Sequence, residues 1–254
     1  MTGPGAAIEM RVGGLTDVGR VRKHNEDNIA LLTPQGIWVV ADGMGGHAAG
    51  DVASAIIVEE MESLGMPVSA QDQRSRMLER LDRAHLRILA HAQANGLSTV
   101  GATVAALLIF EAELTCVWAG DSRIYLWRQG KLTQLTQDHS EVAQLVAAGQ
   151  MTEAEARTAA RRNVITRAIG IGPNADPQLV SGVAQPGDRF LVCSDGLTEH
   201  MDDHDIAALL ANPAPPNDIA SALIRETLER GAKDNVSVII VDCEPAAEGD
   251  EAAD

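Results

Sequence analysis

Apolar residues recur along this chain with two different periods, and the switches between them outline its elements. Gly36 to Asp42 (GIWVVAD) is a short apolar run closed by a Gly-rich turn, and from Ala48 to Leu64 the apolar positions fall at helical spacing. That predicts strand, loop, helix. From Ala70 to Asn95, the residues Met77, Leu78, Leu81, Leu86 and Leu89 return on one side and the run stops at Gly96, the pattern of a long amphipathic helix. Strand-like runs then dominate. Ala102 to Phe110 and Glu113 to Ala119 flank a short polar turn, and Arg123 to Trp127 faces Lys131 to Leu135 across Arg128-Gln129-Gly130, which predicts two antiparallel hairpins.

A polar, helix-prone stretch from Ser140 to Asn163 follows, with Thr152 and Glu155 spaced as a capping box, and reads as a flap-like insertion over about 140–163. Two further strands are expected at Asp188 to Cys193 and Val236 to Asp242. Between them lie helices near Asp203 to Leu210 and Asn217 to Arg230, the second closed by Gly231. Strands gather into hairpins instead of alternating singly with helices, so an antiparallel α+β architecture is favoured over a doubly wound parallel sheet.

Length and charge narrow the function. A chain of 254 residues suits one large domain. Hydrophobic residues make up 45% and charged residues 22%, the balance of an ordinary globular protein. Aromatics are only 2%, so the core must be aliphatic and the stacking platforms of single-strand nucleic-acid binders are missing. A formal charge of -16 also repels phosphate backbones, and no nucleic-acid partner is expected. Part of that charge is local: after Val241 the chain reads DCEPAAEGDEAAD, so residues 243–254 are expected as an acidic, disordered tail on a body of residues 1–242. Cys116, Cys193 and Cys243 are odd in number and sit in apolar runs, which reads as buried free thiols in a reducing compartment. The longest apolar stretch, Ala102 to Phe110 with only Thr103 polar, is far below the roughly 20 residues of a membrane helix, and a cytoplasmic protein without membrane contact is expected.

Four carboxylates stand where an apolar run meets Asp followed by Gly, Ser or Asn: Asp42 in VVADGMGG, Asp121 in VWAGDSR, Asp195 in LVCSDG, and Asp234 in GAKDNVSV just before its strand. Any one of them alone reads as a turn residue. Four on the ends of strands suggest a shared site, because converging carboxylates repel one another and need a cation. An all-oxygen set selects hard divalent ions such as magnesium or manganese over zinc. A rival reading of the glycine loop exists, since Gly43, Gly45 and Ala48 fit the G-x-G-x-x-A dinucleotide fingerprint. It lacks the acidic residue at the end of a second strand, and Asp42 would set a negative charge beside the pyrophosphate, so it is set aside.

With these residues in view the chain closely resembles the bacterial branch of the metal-dependent type 2C (PPM) serine/threonine protein phosphatases. Seven segments occur in that family's order: TDVGRVRKHNEDN, VVADGMGGHAAGDVAS, GATV, AGDSRIYLWRQGKLTQLTQDHS, NVITRAIG, CSDGLTEH and KDNVSVIIV, between Thr16 and Val241. The resemblance implies a four-layer α/β/β/α sandwich of two antiparallel sheets flanked by helices, with the metal centre in a cleft at one end. It implies Asp42 as the bridging metal ligand, a carbonyl from Gly43, and Asp195 and Asp234 completing the first ion. Glu26 would face the second ion through water. Asp27 would orient water on the ions and Arg22 would clamp phosphate. Asp121 would hold a weaker third ion with Asp195 shared, and Glu199 stands where the family often has Asp. Met44 occupies the position at which eukaryotic relatives carry a histidine, which leaves His47 as the nearest candidate general acid.

The activity so implied is hydrolysis of phosphoserine and phosphothreonine in proteins by a water that two Mn2+ or Mg2+ ions activate, with phosphate oxygens held in the Arg22 fork. The implied partners are phosphorylated proteins, including a serine/threonine kinase and its substrates, met by a monomer working in signal transduction. A second class, a phosphopeptide-binding pseudophosphatase, would be marked by loss of a metal aspartate, and Asp42, Asp195 and Asp234 are all present. Arg123, next to Asp121, reads equally as a site residue or as a structural ion-pair partner, and is not counted in the site. Arg161 and Arg162 read either as a solvated basic face or as an attractor of phosphorylated segments.

Overall fold

The middle strands are apolar at almost every position because they are covered on both faces. In β3 (Ile37–Gly45), Val39 and Ala41 face one buried cluster while Trp38 and Val40 face another. In β11 (Val236–Pro245), Val238 and Ile240 turn one way, Ile239 and Val241 the other. A strand enclosed on both sides loses the alternation that a half-exposed strand displays. The computed structural model describes residues 8–246, apart from 46–48, 153–154, 157–158, 160 and 162–163.

Two antiparallel sheets form the centre. The first has the order β1 (Ile8–Asp17), β11, β10 (Arg189–Cys193), β7 (Arg123–Arg128), β8 (Lys131–Gln134). The second has the order β2 (Asp27–Leu32), β3, β5 (Val104–Phe110), β6 (Glu113–Ala119), β9 (Gln178–Val183), with β4 (Val100–Ala102) on the end of β3. Trp38, Leu107, Phe190, Val192 and Ile239 pack between the sheets. The outer face of the second sheet is covered by α1 (Gly50–Glu62) and α2 (Ala70–Ala94) through Ile57, Met61, Met77, Leu81 and Ile88. The outer face of the first is covered by α5 (Asp203–Leu210) and α6 (Pro216–Glu229) through Ile206, Leu223 and Ile224. Three buried clusters separating four layers give the expected α/β/β/α sandwich. Each fully buried aliphatic side chain contributes about 1.5–3 kcal/mol, which holds the strand ends rigid. A three-turn-or-shorter pair, α3 (Glu141–Ala147) and α4 (Asp195–Thr198), lies at the end of the sandwich.

Several elements differ from the periodicity reading. The buried face of α2 is Met77, Leu81, Ala84, His85 and Ile88, while Leu86 is 64% exposed. A 3.6-residue stripe fits this set and rejects Leu86, which lies half a turn away. The apolar run Ala102 to Phe110 is two strands interrupted at Thr103. The last strand continues through Cys243, Glu244 and Pro245, which pair with Met10, Glu9 and Ile8, so the acidic segment begins as sheet. β2 and β9 have no sustained apolar alternation to announce them, whereas β1 alternates over Ile8, Met10 and Val12, with Glu9 and Arg11 between, and is absent from the periodicity reading. In β1, Gly13 lies against the α6 N-terminus, where a Cβ would sit 2.4 Å from the Asn217 backbone nitrogen; this is why a poor strand former stands there. All six residues of the edge strand β9 are exposed.

Candidate metal centre

The cleft end of the sandwich is built from the ends of strands drawn from both sheets. Asp42 lies in β3 and is the register partner of Asp27 in β2. Asp195 opens α4 directly after β10, and Asp234 precedes β11 by two residues. Asp121 lies between β6 and β7.

Small polar side chains beside these aspartates tie the two sheets together. Asp27 is buried, and its Oδ2 accepts from the Ser194 hydroxyl at 2.8 Å and the Ser237 hydroxyl at 2.7 Å. Ser194 is the neighbour of Asp195, and Ser237 lies three residues past Asp234. The Asn235 side-chain Oδ1 accepts from the Glu26 N–H at 2.8 Å, while its Nδ2 donates to the Val18 and His24 carbonyls. On the other side the Asp42 N–H donates to the Thr103 hydroxyl, which is 2.7 Å from the Ser122 hydroxyl next to Asp121. Ser54 of α1 donates to the Glu26 carbonyl at 2.5 Å and accepts from Asn28. The sequence reading missed Thr103, Ser122, Ser194, Asn235 and Ser237. Their signal was present: each is adjacent or nearly adjacent to a motif aspartate, or interrupts an apolar run.

Gly43 is held by its own N–H donating to the Glu26 carbonyl at 3.1 Å, and a Cβ there would sit 2.0 Å from the Gly50 carbonyl oxygen. Only glycine lets β3 and the start of α1 approach this closely, which places Glu26, Asp42 and the α1 N-terminus in one corner.

Electrostatics mark the same set. Burial raises Asp27 to about 6 and Asp121 to about 7. Burial also pushes Asp42 and Asp195 well above the carboxylate range, and the charges of Asp27, Asp121 and Asp234 push each of them further. Glu26 is raised, by burial first. Glu199, at the C-terminal end of α4, adds its charge to Asp121 and Asp195. Against these carboxylates the structure sets chiefly Arg22, whose Nη2 donates to Asp234 Oδ2 at 2.6 Å. Buried like charges so weakly opposed disfavour their own ionisation, and divalent cations are what such an oxygen set accommodates.

Of the expected site residues, Glu26, Asp27, Asp42, Gly43, Asp121, Asp195, Glu199 and Asp234 therefore meet at one end of the molecule, with Arg22 at its rim. His47 lies outside the described residues. Arg123 belongs to the scaffold: it donates to both Asp138 oxygens at 2.7–3.2 Å and to the Tyr125 hydroxyl at 2.8 Å. Arg161 pairs with Glu141 at 2.6 Å, and Arg162 is not among the described residues. A second acidic group, Asp202, His204 and Asp205, has ligand atoms within 4.8 Å of one another. It is a different kind of site, since Asp202 caps α5 by accepting from the Asp205 N–H and Asp205 is paired with Arg230.

Comparison with known proteins places this geometry. The protein phosphatase 2C family model matches residues 20–235. The chain belongs to the protein phosphatase 2C family. Its relatives include the serine/threonine phosphatase stp of Listeria monocytogenes, 30% identical over 246 residues that cover 94% of this chain and 98% of that protein. The serine/threonine protein phosphatase PstP of Mycobacterium tuberculosis is 36% identical over 236 residues, 92% of this chain, and this chain spans 45% of its length. Among solved structures, the catalytic domain of PstP in complex with two manganese ions superposes with a TM-score of 0.85 at 34% identity, covering 94% of this chain and 99% of that one.

Proposed function

We propose that the protein hydrolyses phosphoserine and phosphothreonine in proteins with two divalent cations, manganese or magnesium, as cofactor. The observation that carries this reading is the convergence of buried Asp27 with half-buried Asp42, Asp121 and Asp195, all four raised by desolvation and by the charge of neighbouring carboxylates, in a chain of the protein phosphatase 2C family. Manganese in the PstP catalytic domain supports the choice of ion. Asp42, the Gly43 carbonyl, Asp195 and Asp234 would hold the ions, with Glu26 facing them through water. When bound, such a pair supplies Lewis acidity and activates water at neutral pH.

The rest of the work falls to the chain itself. Arg22 presents a planar fork of donors that suits two phosphate oxygens. The Ser194 and Ser237 hydroxyls hold Asp27 as an acceptor beside Asp42, so that it can orient a water. Asp121, with Glu199 and a share of Asp195, would take a weaker third ion. His47 is retained as the proposed proton donor to the leaving oxygen. Residues up to Pro245 form the proposed catalytic domain, with the segment 140–163 as its flap. We take its partners to be phosphorylated proteins, among them a serine/threonine kinase and that kinase's targets, and three buried free cysteines support work in a reducing cytoplasm. A binding module without turnover draws no support from a site in which every metal carboxylate is retained.

The test is hydrolysis of a phosphothreonine peptide in chelator, after addition of Mn2+ or Mg2+, and after addition of Zn2+ alone. Activity should be absent in chelator and return with manganese or magnesium but not with zinc. Full turnover by metal-free protein would sink the reading.

A further inference from the structure

An open groove of about 770 Å³ leads away from Asp121 and Asp195, between α3 on one side and the α4–α5 corner on the other. The metal centre uses only one end of it. Its two walls differ in chemistry. Val142, Ala143 and Val146, on one face of α3, line the first wall, and no residue of α3 is buried against the core. Val142, Ala143 and Val146 are half-buried, so α3 leaves part of an apolar face open to the groove.

Glu199, Asp202 and Asp203 line the second wall. Two arginines also reach the groove, and both are engaged: Arg123 is gripped by Asp138, and Arg230 by Asp205 and Glu226. Asp202 accepts from the Asp205 N–H and Asp203 from the Tyr125 hydroxyl, and neither has a cationic partner among the described residues. Cations bound to Asp121 and Asp195 would leave this wall negative.

We propose that the groove binds the polypeptide flanking the phosphorylated residue and selects segments that carry Arg or Lys together with an aliphatic side chain. The proposal rests on the phosphatase reading above and names its substrate class. A chain whose phosphate sits at the metal end must run past these walls. Basic side chains on it meet the Asp202 and Asp203 part of the wall, and an aliphatic neighbour covers Val142 and Val146. A chain of contacts anchors the acidic wall from beneath: Asp138 binds Arg123, Arg123 donates to buried Tyr125, and Tyr125 donates to Asp203.

Two phosphothreonine peptides sharing one leucine and differing only in paired Arg or paired Glu on both flanks provide the test, assayed with Mn2+ beside p-nitrophenyl phosphate, which has no flanking chain. The expected result is about tenfold higher kcat/KM for the Arg peptide, carried by KM, from two or three exposed ion pairs, and shrinking as salt is raised. In the double variant Asp202→Asn and Asp203→Asn, which keeps the cap and the acceptor for Tyr125, the Arg-to-Glu ratio should fall severalfold. Turnover of p-nitrophenyl phosphate with equal kcat/KM on the two peptides, or a ratio unmoved in the double variant, would overturn the groove assignment. Absence of turnover on all three substrates would instead sink the phosphatase reading, and the groove assignment with it.

Discussion

The molecule carries two acidic clusters, and only one of them has the character of a metal centre. The cluster at the strand ends is half-buried around a buried Asp27, holds carboxylates raised by desolvation and mutual repulsion, and is opposed by Arg22 at its rim and by Arg123 beside Asp121, itself gripped by Asp138. Among the described residues the group whose ligand atoms all lie within 4.8 Å of one another is Asp202, His204 and Asp205, but His204 is 91% exposed and Asp205 is held by Arg230. Proximity of carboxylates is therefore a weak criterion. What distinguishes a cation site is charge that the fold buries and does not itself neutralise.

The comparison breaks most sharply at Asp42. Asp42→Asn should cost on the order of 10³ in turnover of a phosphothreonine peptide, as loss of a group that sets transition-state electrostatics. In metal-free protein the same change should raise the melting temperature, by about 2–4 °C for each kcal/mol of repulsion relieved, while the further rise on adding Mn2+ should be smaller than in wild type. Calorimetric melting with and without metal reads both signs. A variant as active as wild type, or one destabilised without metal, would mean that Asp42 is not a repelled carboxylate at a metal site.

Arg22→Ala comes next. Its kcat/KM should fall by roughly 2–4 kcal/mol, the cost of losing one preorganised donor to a charged transition state, with the number of bound Mn2+ ions unchanged in a titration. Unaltered kcat/KM would return Arg22 to an exposed partner of Asp234.

Asp121→Ala should be milder, because Asp42, Asp195 and Asp234 remain while an outer ion would lose its best carboxylate. The variant is expected to fold, to bind two Mn2+ ions, and to lose most of its peptide activity, with higher metal concentration restoring part of it. Equal ion counts, equal affinities and equal turnover would leave Asp121 as a turn residue. The smallest effect is expected in the second cluster: His204→Ala should leave Mn2+ stoichiometry and affinity unchanged, and a lost ion there would erase the distinction between the two clusters.

Much of this was legible along the chain. Apolar runs ending in Asp marked Asp42, Asp121 and Asp195, because a strand covered on both faces must be apolar throughout and its first polar residue stands where it leaves the core. The hairpin over Gln129-Gly130 was legible for a local reason, since Gln129 and Gly130 both adopt positive φ, as a two-residue turn demands. The α2 face was legible only in part, because Leu86 is as apolar as Ile88 and only packing tells them apart. For Arg123, nothing in its neighbours named Asp138, fifteen residues away, as the group that holds it.

The sequence by itself determined the elements that local chemistry dictates and, through seven motifs in order, the family. Only the tertiary structure decided that carboxylates from opposite sheets share one corner, that Ser194 and Ser237 bind the same Asp27 oxygen, and that the acidic α5 N-terminus faces an apolar helix across a groove. The physical reason is range. Propensity, capping and turn preferences act over a few residues, whereas burial and repulsion among Asp27, Asp42, Asp121, Asp195 and Asp234 exist only once strands more than a hundred residues apart are packed against each other.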